Sequence, residues 1–205
     1  VSPGPGRRPL PIRIRNGAVA CMLLSAGVGF FSASEALNLA QVSELREGPL
    51  FRIPTLKDSA EVERVMIRAL RPMRALRAGI LSALSVACAF CFVSAGRLLY
   101  PRGLSRENMR RLLGTSLLIA AVLRTVDGAQ WAVVMHRVAR EAAPQLLQGA
   151  LDNAAGVDLE AKQLMPAVFS AVSVVQTGIV VGAFTLLAHY FRLQRVKEGI
   201  AAAQD

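Results

Sequence analysis

Four stretches of this sequence are too long and too apolar to be core segments of a soluble domain: about 17–39, 78–96, 112–135 and 166–190. A helix rises about 1.5 Å per residue, so about 20 residues cross a hydrocarbon core of about 30 Å. In lipid every backbone amide must be satisfied within the spanning structure, and runs without strict alternation leave the helix as the solution. The expected fold class is all-α, an integral membrane four-helix transmembrane bundle with an extra amphipathic helix between the first two spans. Residues 1–12, VSPGPGRRPLPI, are rich in proline and glycine and read as a disordered tail. The membrane domain is expected over 13–198 and a C-terminal tail over 199–205. The first block also has the basic start and small residues (Ser32–Ser34) of a secretory signal. It is longer than a signal core and stays apolar beyond that point, so a retained helix is expected.

Charge fits the same setting. The formal net charge is +10, and on a soluble chain that would suggest nucleic acid. No recognition-helix or aromatic-platform pattern accompanies it, and the arginines flank the apolar blocks. Topology and anionic headgroups explain them better, and no nucleic-acid partner is expected. The amino terminus, the 97–111 loop and the carboxyl terminus hold 12 Lys and Arg in short segments. The longer connections hold 11, diluted by acids. This density places both termini in the cytoplasm, although the arginines beside the second span pull the other way. Arginine outnumbers lysine and alanine is abundant, which suggests a GC-rich bacterial genome and hence the inner (cytoplasmic) membrane.

The connection between the first two spans carries its own pattern. Asp58 and Ser59 can cap a helix in which Val62, Val65, Met66, Ala69, Leu70, Met73 and Leu76 recur at helical spacing. Arg64, Arg68, Arg71 and Arg74 lie around that stripe, and Pro72 should bend or interrupt it. With cytoplasmic termini this helix lies on the periplasmic side. A separate pattern links two spans: 80–99 and 168–187 align without gaps and share eight of 20 residues, from Ser82/Ser170 to the closing Leu-Leu. Apolar composition alone yields several such matches, so both a duplicated hairpin and chance remain open.

Helices in lipid gain little by hiding apolar surface from one another; close backbone approach and interhelical hydrogen bonds hold them together. Small residues at four-residue spacing supply such seams. Gly17, Cys21, Ser25, Gly29 and Ala33 form one, and Gly79, Ala83, Ala87, Cys91 and Ala95 form another. Gly178 and Gly182 make a GxxxG pair in the fourth span.

Chemistry is sparse. Cys88 and Cys91 form a CxxC, but it lies in mid-span, where low dielectric disfavours a thiolate, and no loop carries a second pair. These cysteines and Cys21 read as small packing residues. His136 and His189 lie at span ends, a poor arrangement for a membrane haem, and His189 with Tyr190 suits an interfacial anchor. No phosphate loop, HExxH, GxSxG or intramembrane carboxylate pair is present. Neither catalysis nor a cofactor nor a metal is expected.

Two charges stand out within LLIAAVLRTVDGAQWAVV (117–134): Arg124 and Asp127. They lie about 60° apart on one helix face, and Ser116, Ala120, Gly128 and Ala132 continue the small stripe of Arg124. That face should point into the bundle, since a lone central arginine costs about 2.5–3.5 kcal/mol on insertion scales. The expected arrangement pairs Arg124 with Asp127, with Gln176 and Thr177 of the fourth span as further partners at similar depth. It can serve function or fix helix register. The seams and the missing catalytic groups favour a non-enzymatic accessory, assembly or interaction subunit. Its expected partners are the lipid bilayer and another membrane protein or a second copy of itself. A small transporter, or a ligand- or proton-responsive protein using Arg124 and Asp127, is the alternative.

Overall fold

A computed structural model describes residues 10–41, 68–100, 105–151 and 159–202 of the 205-residue chain. The described residues form an all-α structure with no strands: α1 Ile12–Gln41, α2 Arg74–Leu99, α3 Arg106–Leu151, α4 Leu159–Arg192 and the short α5 Gln194–Ala201. Four of these helices are long and apolar enough to cross a membrane. The apolar blocks seed them, and each helix runs past its block into the polar flanks. The N-terminal part of the expected amphipathic helix, through residue 67, lies outside the described residues. Its C-terminal end is helical over 68–70 and tightens into a 3-10 turn at Arg71–Met73, with Pro72 at the start of that turn. Proline lacks the N–H that a continuing α-helix would use there.

The chain divides into two compact units. The first draws on the described residues of Val1–Glu35, Leu81–Arg124 and Val180–Asp205; the second on those of Ala36–Ile80 and Thr125–Ile179.

In the first unit, Leu84, Leu98, Leu113, Leu117, Phe184 and Phe191 are fully buried around Cys21, Cys88 and Cys91, all free thiols. The α1 seam faces this core. Cys21 and Ser25 are buried, and Gly17 and Ala33 lie half-buried at its two ends. A Cβ on Gly29 would stand 3.0 Å from the Cys88 Cβ, and one on Gly17 would meet the Tyr190 ring at 2.9 Å. Ser25 donates to the Cys21 carbonyl within its own helix, so its buried hydroxyl is satisfied. α5 adds Val196 and Ile200 to the core, and Gly199 lies against the Ile14 side chain. The stretch expected as a C-terminal tail from 199 onward is helical through Ala201, with Ile200 buried.

The α2 seam behaves differently. Ala87, Cys91 and Ala95 are buried, whereas Ala83 is exposed, and so is Gly79 in the second unit, with open space around it. The expectation that all five residues share a contact holds for Ala87, Cys91 and Ala95 and not for Gly79 and Ala83. Replacing Gly29 with leucine should therefore lower the thermal stability of the detergent-solubilised protein, with a cost of about 1–3 kcal/mol for overpacking. The same change at Ala83 should be nearly silent, and equal effects at the two sites would contradict the assignment.

The aligned positions of the possible repeat are mixed: Leu98 is fully buried and its counterpart Leu186 is 72% exposed, whereas Val86 and Val174 are both exposed.

Two arginines explain part of the basic flanking sequence. In the second unit, Arg74 of α2 donates from Nε to the Leu39 carbonyl and from Nη2 to that of Ala40, at 2.9 Å, at the C-terminal end of α1. In the first unit, Arg110 of α3 donates to the Phe191 carbonyl in the last turn of α4 and grips both Glu107 oxygens at 2.7 Å. Helix C-termini leave carbonyls unbonded and carry partial negative charge, so a guanidinium from a neighbouring helix answers both needs.

Candidate functional site: a buried ion pair in the second unit

Asp127 is 1% exposed, and its carboxylate forms an ion pair with Arg77. Arg77 lies in the first turn of α2, one residue before the apolar run that begins at Ala78. Its Nη2 stands 3.3 Å from Asp127 Oδ1, and both side chains are almost wholly buried. Trp131, one helical turn beyond Asp127 on α3, completes the group: the Arg77 guanidinium carbon lies 4.4 Å from the centre of its ring. A cation over an indole face is attracted by the ring quadrupole, most strongly when desolvated. Charge, counter-charge and aromatic face thus come from two helices, with the carboxylate and the ring at i and i+4 on one of them.

Arg124 is half-buried on the small-residue stripe expected for it, where Ser116, Ala120 and Gly128 are buried.

Of the two α4 residues expected at this site, one is close to α3. A Cβ built on Gly128 would lie 2.2 Å from Thr177 Cγ2, so the Thr177 side chain occupies the space a larger residue would need. Gln176 is exposed on α4. Adjacent helical residues point about 100° apart, so Thr177 and Gln176 cannot both face Gly128. Beside the ion pair, Trp131 packs with Val134 and Val138 of α3 and with Ala69, Leu70 and Met73. Gln130 Oε1 is buried without a hydrogen bond.

Arg77 and Trp131 were the residues the sequence reading passed over. Their signals were present: the chain's single tryptophan falls four residues after its most deeply placed acid. Arg77 borders the second apolar block rather than standing inside it, so it read as a flank. In successive antiparallel helices the start of one lies level with the later part of the next, and that levelling is what joins Arg77 to Asp127.

Chemically, the arrangement joins helices. Among the described residues no group of three or more His, Cys, Asp or Glu could hold a metal ion. The CxxC cysteines are buried in the first unit as free thiols.

The GxxxG pair of α4 was expected as a packing seam, within the chain or toward a second copy. Built Cβ atoms on Gly178 and Gly182 meet nothing within 4 Å. Among the described residues these two glycines form no seam; they leave an open strip on α4. Only 17% of the apolar window of α4 is buried, against 39% for the span containing α2. Phe30, Phe31, Val172, Val175 and Ile179 are likewise exposed. Apolar exposure on this scale is not sustained in water, but lipid covers it.

The four long apolar helices and this outward apolar surface define the class: a helical multi-pass membrane protein. Comparisons with protein-family models, curated proteins and solved structures give no match.

Proposed function

We propose that this chain is a non-enzymatic accessory or assembly subunit that works by docking its transmembrane surface against another membrane protein or a second copy of itself. The observation that carries this reading is the open GxxxG strip of α4, on the span with the smallest buried share. Small residues at i and i+4 let a second helix approach closely, and close approach drives helix association in lipid. Gly178 and Gly182 meet no neighbour among the described residues, which leaves them open to a helix from outside. The setting is the inner membrane of a bacterium, with both termini cytoplasmic, as the density of basic residues in the short segments suggests.

Replacing Gly178 and Gly182 together with leucine tests the proposal. The change should abolish the stoichiometric partner, or the second copy, recovered in mild detergent. It should leave the thermal stability of the isolated subunit unchanged, because the added side chains meet open space. Recovery of the same complex from the double variant would contradict the proposal.

One observation favours a second reading, a small transporter or a ligand- or proton-responsive protein: the buried ion pair, now centred on Arg77 and Asp127. Intramembrane charges are functional candidates by default. An Arg77→Met, Asp127→Leu variant that folds and keeps its partner would favour docking; one that folds and loses function while keeping its partner would favour the ion pair as a working site.

A further inference from the structure

A groove of about 390 Å³ opens in the second unit between the end of α1 and the start of α2, lined by Leu39, Ala40, Arg71, Arg74, Ala75 and Ala78. We propose that it binds the phosphate headgroup of an anionic membrane lipid, with the adjoining acyl chain laid along its apolar end.

Charge carries the first part of the argument. Among the described residues that line it, two of the six are arginines and none is acidic. Arg71 is exposed and is free to reach a headgroup. Arg74 is held in place from the opposite side, its Nε and Nη2 committed to the Leu39 and Ala40 carbonyls. That fixes the guanidinium and leaves Nη1 for an outside acceptor. A fixed fork with a second arginine nearby suits a phosphate, which accepts several charge-assisted hydrogen bonds.

Depth carries the second part. Arg74 precedes Ala78 by one helical turn, and Ala78 begins the apolar run of α2. The basic end of the groove therefore lies where headgroups lie, and Ala75, Ala78 and Leu39 lead from it toward hydrocarbon. A free anion would use only the first end, whereas a phospholipid uses both. The lipid is accordingly the occupant that matches the whole lining.

The test uses the full chain in mild detergent, with thermal stability followed during titration by phosphatidylglycerol, phosphatidylcholine or inorganic phosphate. Phosphatidylglycerol should stabilise saturably, and the other two should not. Each basic residue near an anionic lipid surface contributes about a fivefold change in affinity, so Arg71→Gln should raise the half-saturating phosphatidylglycerol concentration about fivefold. Ala78→Phe keeps both charges and fills the apolar end, and should raise it as well. Arg68→Gln removes an exposed arginine outside the groove and should leave it unchanged. Equal stabilisation by phosphatidylcholine or by phosphate would overturn the proposal, as would an Arg71→Gln titration that matches Arg68→Gln.

Discussion

Asp127→Ala is expected to cost about 3–5 kcal/mol of folding stability, the range typical when one member of a buried ion pair is removed. The cost is large because Arg77 stays behind, 2% exposed and one residue from the apolar run, with its ion-pair carboxylate gone. Trp131 would retain the cation over its ring but cannot neutralise it. Arg77→Ala should be similarly damaging, because it leaves the Asp127 carboxylate buried. The double change Arg77→Met, Asp127→Leu removes both charges and keeps roughly the volume, so it should recover most of the loss. Unfolding midpoints in detergent for the two single variants and the double variant measure this. Additive losses would mean that the two residues are not coupled, and the ion pair would then have no energetic standing.

The second large effect is expected at Gly128. Adding a single methyl group there would place a carbon 2.2 Å from Thr177 Cγ2 and 2.8 Å from Thr177 Cβ. Neither helix can accept that without moving, and overpacking of this kind costs about 1–3 kcal/mol. Gly128→Ala should therefore lower the unfolding temperature clearly. Thr177→Gly should restore it when combined with Gly128→Ala, because it removes all three clashing atoms, whereas Thr177→Ala leaves the β-carbon and should restore it only in part. If Gly128→Ala alone is silent, α3 and α4 do not approach closely at this point.

These results bear on what could be read from the sequence and what could not. The helices were legible because lipid-crossing length and the need for internal backbone hydrogen bonding are both written in the apolar blocks. The Gly17–Ala33 and Gly79–Ala95 stripes carry the same four-residue spacing, yet the first is buried or half-buried at every member and the second only at Ala87, Cys91 and Ala95. Which part of the stripe is buried depends on neighbours that no single helix encodes. Asp127 was found because a carboxylate in an apolar run is conspicuous. Its partner was not, because Arg77 sits among other flanking arginines, and only the antiparallel levelling of α2 against α3 singles it out. Gly178 and Gly182 were recognised as a close-approach motif, but the motif does not say whether the partner helix belongs to the same chain.

That last point is the centre of the functional account, and the mass of the native particle tests it most directly. Native mass spectrometry of the full chain, released from a mild detergent, should give a particle heavier than the 21.9 kDa chain by a whole second copy or by a stoichiometric partner. The Gly178→Leu, Gly182→Leu variant should collapse to the single chain. A wild-type particle at 21.9 kDa, carrying only lipid or a small solute, would contradict the account.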